Sequence, residues 1–369
     1  MRTGVAGVDP ARREPAFAAS PAGRGQGATI APDVQRARRG WGVIGCAIAE
    51  RLSRERRHRV LLLERDTLGS HASGAAAGLL APYGDGDVLD ELAGRSLALF
   101  PEIVERVERS GIAVEYREQE GITPALTAEE ERRLRRGPGR WLDAAQALAE
   151  EPGLSPDVRG AAVLHEAQVT PIRLVRALAH TAAAQGAEIR EGSPVGGIGV
   201  RNGRALGAQT ADGLERADVV VLAAGPWTPA LASPLGLSLD VRPSRGQLVM
   251  LRPPAAVLRR LLTWRAHYLV PKPDGTIVAG STNEDVGFDD RPTAEGIAGL
   301  LGFATRAVPA LRSAAVERVW AALRPMTSDG RPIVEAAPGL PNLVVATGHG
   351  ANGILLAPLT AQLVAERLP

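Results

Sequence analysis

Gly40, Gly42 and Gly45 fall at the spacing G-x-G-x-x-G, and Glu64 closes a short apolar run 19 residues after the last of them. Glycines at those positions permit a tight turn, close approach of a pyrophosphate and close helix packing. A carboxylate at the end of the following strand can accept hydrogen bonds from an adenosine ribose. The glycines alone are a weak signal; with Glu64 they predict a dinucleotide site. A second glycine-rich stretch, Gly348-His349-Gly350-Ala351-Asn352-Gly353, lies between the apolar run Leu343–Thr347 and an apolar C-terminal helix starting near Ile354. A helix N-terminus there would present a positive dipole end to an anion.

The elements that must position these residues read as alternating α and β pieces. Val43, Ile44, Ala47, Ile48 and Leu52 recur at helical spacing, and residues 59–64 form a buried strand ending in the acid. Helical patterns follow over 89–111 and 127–150, the second opened by Thr127 with Glu130 three residues on, a capping box. A helix over 171–186 leads to a buried strand at 219–225, and alternating segments at 247–251, 267–271 and 276–281 predict an antiparallel sheet. No internal repeat is present. The expected architecture is α/β: a nucleotide-binding domain assembled from residues 40–82, 170–235 and 325–369, with an antiparallel-sheet α+β substrate domain inserted from 83–169 and 236–324.

Composition narrows the function further. With 43 basic and 41 acidic residues spread along the chain, no block of one sign offers itself to nucleic acid or to a membrane surface. Lys272 is the single lysine, and the excess of arginine, alanine and glycine reads as high-GC coding. No apolar run reaches the roughly 18 residues of a membrane span, and the first 39 residues lack a signal-peptide core. The single cysteine, Cys46, sits among apolar residues and fits a reducing cytoplasm. The six histidines show no ligand spacing, so no metal is predicted.

One context fails. A dinucleotide motif should follow a buried strand, yet residues 33–39 read Asp-Val-Gln-Arg-Ala-Arg-Arg, whose arginines cannot lie unpaired in a sheet core. Residues 1–39 as a whole lack periodicity and are expected to form a disordered extension. If residues 35–42 are encoded by CAA CGT GCT CGT CGT GGG TGG GGG, moving one base forward reads Asn-Val-Leu-Val-Val-Gly-Gly-Gly. A single-base frame shift near codons 40–43 thus accounts for the missing strand.

Five segments in order resemble the FAD-dependent D-amino acid oxidase family, in particular its glycine-oxidising branch. They are Ala72–Pro82, Ala224-Gly225-Pro226-Trp227, Arg245-Gly246-Gln247-Leu248, Ala322–Gly330 and Gly348–Pro358. The resemblance implies a Rossmann-like FAD-binding domain and a substrate domain whose large sheet roofs the flavin. Carried over by motif, the FAD contacts fall on Val43, Ile44, Glu64, Arg65, Ala72, Ser73, Ala77, Gly78, Leu79, Val195 and Gly225, and on the segment His349, Gly350, Ala351, Asn352, Gly353, Ile354, Leu355. Arg324 matches the family's substrate-carboxylate arginine, which suits a guanidinium fork. Tyr268 matches a tyrosine that caps the substrate, while the adjacent His267 should point to the opposite face of its strand.

The activity so implied is oxidative deamination of glycine or another small amino acid or amine. Hydride passes from Cα to the flavin, molecular oxygen takes the electrons to give hydrogen peroxide, and the imine hydrolyses or feeds thiazole formation with thiazole synthase as partner. A homotetramer is implied as well. Rival readings are a dehydrogenase of the same family that uses a quinone, and an inactive relative unable to hold FAD. At Ala351 the family pattern usually carries an arginine, so Arg324 is left as the one evident carboxylate anchor.

Overall fold

The computed structural model describes residues 27–31, 42–56, 58–81 and 88–368, with backbone alone at 27–31 and 88. The described residues form three sheets, two of which meet at one cavity. The first has six strands in the order Ile333–Ala337, Leu340–Thr347, Val219–Leu222, Gly27–Ala31, Arg59–Leu63 and Glu188–Arg190. All neighbours run parallel except the pair 333–337 and 340–347, which is antiparallel. Val219–Leu222 is buried at every residue, as a parallel strand covered on both faces must be.

One face of this sheet carries the helices Val43–Glu55, Pro171–Ala184 and Gly353–Ala365, whose apolar sides share a core with Val60, Leu62, Val221 and Val344. A three-stranded antiparallel sheet, Gly197–Arg201, Arg204–Thr210 and Gly213–Arg216, covers the other face through Ile198, Ala205 and Ala208. The helix from Val43 starts after an extended Gly42 and ends at Arg56 in the left-handed conformation. Its first turn therefore opens toward the ends of the parallel strands, where ligands of such sheets bind.

The second sheet has nine strands. Eight lie in the order Ala315–Met326, Arg242–Arg252, Ile277–Gly280, His267–Pro271, Leu261–Trp264, Arg117–Ala125, Gly160–Gln168 and Leu79–Leu80, and Arg140–Asp143 also pairs with Gly160–Gln168. Its pairs are antiparallel except Leu261–Trp264 on Arg117–Ala125. One face packs on the helix Ala294–Ala307 through Val249, Leu262, Leu269 and Phe303. The other, carrying Leu248, Leu261, Val270 and Val278, faces the first domain. Leu79–Leu80, in a stretch assigned from sequence to the nucleotide-binding unit, thus adds a strand to the large sheet.

Two local expectations change. The pattern over 127–150 is not one helix: Ala128–Leu134 stops before Pro138-Gly139, the chain extends over Arg140–Asp143, and Ala144–Glu150 restarts on a second capping box, Asp143 with Gln146. The expected box at Thr127 and Glu130 is present. The strand that precedes the glycine loop is Gly27–Ala31, which fills the slot between Arg59–Leu63 and Val219–Leu222. Part of the expected extension therefore sits in the central sheet, while residues 33–39 and Gly40 lie outside the described residues.

Candidate functional site

A cavity of about 350 Å³ runs between the two sheets. Of the residues singled out from sequence, Gly42, Val43, Ile44, Glu64, Arg65, Ala72, Ser73, Ala77, Gly78, Leu79 and Gly225 line it, as do Tyr268, Arg324 and the run His349–Ile354. Gly45, Val195 and Leu355 do not. Gly45 is buried within its helix, and Val195 and Leu355 belong to the apolar cores on opposite faces of the parallel sheet.

At one end Val43, the first residue of its helix, donates its N–H to Ser73 Oγ at 2.9 Å. Beside it the Glu64 carboxyl is almost fully buried, and its Oε1 accepts the Asp66 N–H at 2.8 Å. Burial pushes this carboxyl up to about 8; the Asp66 charge adds to the rise, while that N–H and Arg65 oppose it. Along the wall, Arg65 lies over the Trp227 ring, 4.6 Å from its centre, and Trp227 also stacks with Phe288 at 5.8 Å and meets His71 at 4.5 Å. His349 is buried, its Nε2 lies 2.9 Å from Thr360 Oγ1, and burial pushes it down to about 3, so it lines the cavity as a neutral ring. The helix Gly353–Ala365 begins at the same place after the turn Gly350–Asn352.

The other end is built on four adjacent strands of the large sheet. Tyr268 lies across from Gly280, and a Cβ added there would stand 2.7 Å from the phenol oxygen. Arg324 comes in from the opposite side over Gly246, where an added Cβ would collide with the guanidinium. The two large side chains on the outer strands lean inward over the two glycines on the inner strands. Both glycines are needed for space, since any side chain would displace the residue above it. Arg324 is held by Thr282 C=O at 3.0 Å from Nη1 and by Ser281 Oγ at 2.6 Å from Nη2. A guanidinium has more donors than these two contacts use. Ala266, Ala322 and Ala351 complete this end with small apolar surfaces. His267 turns to the far face, where Nδ1 meets Ser281 O at 3.0 Å and the ring packs near Phe303.

Sequence reasoning named Arg324 and Tyr268 but not Ser281 and Thr282, which hold the arginine. The signal that points to them is indirect: Gly246 in Arg245-Gly246-Gln247 leaves a bare strand position over which a long cation on the neighbouring strand, diagonally placed, can lie.

The cavity suits a flavin dinucleotide on its own geometry. Helix N-termini and small residues, Gly42, Ala72, Ala77 and Gly350, leave room for phosphates to meet backbone N–H groups, and a buried acid stands where a ribose would lie. A parallel sheet with this cradle, roofed by a large antiparallel sheet, defines a dinucleotide-cofactor protein. The chain belongs to the FAD dependent oxidoreductase family, which its residues 40–367 match; FAD is its cofactor.

Its similarities are as follows. It is 38% identical to a glycine oxidase of Geobacillus kaustophilus, over 89% of this chain and 90% of that protein. It is 37% identical to a bifunctional ThiO/ThiG protein of Trichormus variabilis, of which it spans about half, 51%. The crystal structure of glycine oxidase from Bacillus cereus superposes with a TM-score of 0.86 at 30% identity, covering 92% of this chain and 94% of that one.

Glu64 carries a testable expectation. If its carboxylate accepts the ribose hydroxyls, Glu64→Ala should weaken FAD retention about ten- to a hundredfold, the loss of one charge-assisted contact of roughly 1.5–3 kcal/mol. Binding to the ionised form also releases the proton, so the affinity of apoprotein for FAD should rise with pH through about 8. The folded apoprotein moves the other way. A carboxyl raised by burial contributes its full stability below the ordinary carboxylate range and loses it as pH rises through that same value. Fluorescence titration of FAD into apoprotein from pH 6.5 to 9 reads this; an equal slope in Glu64→Gln removes Glu64 as the cause.

Proposed function

We propose that this protein oxidises glycine or another small amino acid, binding its carboxylate at Arg324 beneath Tyr268. The observation that carries the reading is the convergence of these two side chains over Gly246 and Gly280 at the end of the cavity away from Glu64. Arg324 is the one guanidinium at this end among the described lining residues, since Arg65 stands beside Glu64. Its planar fork can take a carboxylate through two parallel hydrogen bonds while Ser281 and Thr282 keep it aimed. Tyr268 closes the substrate against the sheet and excludes water. When bound, FAD supplies the two-electron acceptor for the substrate Cα–H. The protein's own work is orientation, which alone can supply several kcal/mol toward the barrier. The helix N-terminus at Gly353 favours negative charge at the cavity wall.

Similarity to glycine oxidases supports an amino acid as substrate and molecular oxygen as electron acceptor, with hydrogen peroxide and an imine as products. The ThiO/ThiG fusion among the relatives supports delivery of that imine to thiazole formation, with thiazole synthase as partner. The alanines at 266, 322 and 351 leave space for a small side chain or an N-methyl group, so the substrate range should extend past glycine. FAD-loaded protein should release peroxide with glycine, sarcosine and D-alanine and be silent with ethylamine, which lacks the carboxylate. Turnover of ethylamine with no turnover of any of the three acids would overturn the proposal.

A further inference from the structure

We infer that Arg245, Gln247 and Thr282 are positioning residues for the substrate arginine, acting as a strut from behind the large sheet. The inference rests on the reading of Arg324 as carboxylate anchor and adds the means by which that anchor is aimed. Gly246 faces the cavity with the Arg324 guanidinium above it. Its neighbours in the strand must therefore point to the opposite face. There both are deeply buried, Arg245 at 5% and Gln247 at 0% exposure.

Their polar groups are spent on the segment that carries the arginine's two partners. The Arg245 guanidinium binds the Glu284 carboxylate through Nε and Nη2, and Nη1 donates to Arg291 C=O at 3.0 Å with Asp289 at 3.4 Å. The backbones of Arg245 and Glu284 exchange both N–H···O bonds, at 2.8 and 3.0 Å. The Gln247 side-chain amide donates to the other Glu284 oxygen at 2.6 Å and to Thr293 Oγ1 at 3.0 Å. Its backbone N–H donates to Thr282 Oγ1 at 2.9 Å. The hydroxyl of Thr282 is thus tied to the backbone of Gln247, whose side chain is anchored on the back face, while its carbonyl receives Arg324 at the front.

Burying a guanidinium, even against a partly exposed carboxylate, is an expensive way to gain stability compared with apolar packing. What this one does specifically is fix the direction of the Thr282 carbonyl and the place of Ser281, and through them the tilt of the guanidinium. A loop that only needed to stay folded would lose stability on mutation without regard to Arg324.

The test is a double-mutant cycle on FAD-loaded protein, with Thr282→Val removing the hydroxyl, Thr282→Ser keeping it, and each combined with Arg324→Ala. Acetate is the probe, titrated by the change in flavin absorbance, alongside KM and kcat for glycine and a thermal melt. Thr282→Val should weaken acetate binding and raise KM about tenfold, as loss of one hydrogen-bonded link does, with kcat nearly unchanged. Thr282→Ser should restore both. In the Arg324→Ala background Thr282→Val should change acetate affinity by less than about twofold, because coupled residues are not additive. Equal losses in both backgrounds, or parent-like acetate binding by Thr282→Val beside a strong loss in Arg324→Ala, overturns the strut alone. Parent-like acetate binding by Arg324→Ala removes the anchor itself and the strut with it.

Discussion

Arg324→Ala should raise KM for a small amino acid about a hundredfold while leaving FAD bound and the fold intact. Two charge-assisted hydrogen bonds at roughly 1.5–3 kcal/mol each would give more, but the guanidinium is partly exposed and solvent screens it. The loss should sit in KM more than in kcat, since a carboxylate is gripped alike in ground and transition states. Arg324→Lys should recover only part of it, because an ammonium replaces a fork with a point charge and cannot also meet Ser281 Oγ and Thr282 C=O in the same geometry. The alanine variant should also lose discrimination, so that ethylamine and glycine become comparably poor substrates. Steady-state peroxide assays on the three proteins decide this; unchanged KM in both variants would place the carboxylate elsewhere in the cavity.

Much of this site was legible because its physics is local. The glycine-rich start of the helix at Val43, the acid at the end of the strand 59–63, and the glycine-rich entry to the helix at Gly353 each declare themselves within a few residues. The cavity brings nearly all of them together. What pairs Arg324 with Ser281 and Thr282 is strand register across a sheet, residues about 40 apart in the chain. No periodicity reports such a pairing. The same holds for Arg245, whose buried guanidinium meets the partly exposed carboxylate of Glu284, 39 residues along the chain. Leu355 follows the cavity residue Ile354 in the chain but points into a core, because successive residues of a helix face different ways, and Val195 is buried in the core on the other face of the parallel sheet. The split of 127–150 was hidden for a different reason: a helical pattern continues on both sides of Pro138-Gly139, and only the breaker itself marks the strand between.

The segment ahead of the glycine loop carries the second large effect. Gly27–Ala31 occupies the middle of the parallel sheet and pairs on both edges, with Arg59–Leu62 and with Val219–Leu222. It ends at Ala31, well before Gly42, whereas the strand of a dinucleotide fold leads directly into the glycine turn and aims it. The family match begins at residue 40, so neither this strand nor the arginine-rich stretch 33–39 falls within it. Replacing residues 35–42 by Asn-Val-Leu-Val-Val-Gly-Gly-Gly offers the sheet a β-branched apolar run of the kind a strand buried on both faces carries, joined without slack to the loop. Burying three or four such side chains stabilises by roughly 1.5–3 kcal/mol each before the strand they displace is subtracted. We therefore expect a net gain of a few kcal/mol, a Tm higher by roughly 5–10 °C at about 2–4 °C per kcal/mol, and a larger share of protein carrying FAD. The ratio of flavin to protein absorbance and thermal melts, measured side by side on the two sequences, read both quantities. Equal occupancy and equal melting would mean that Gly27–Ala31 serves as well as the restored strand, and an intact reading frame on resequencing the gene would remove the frame shift as its cause.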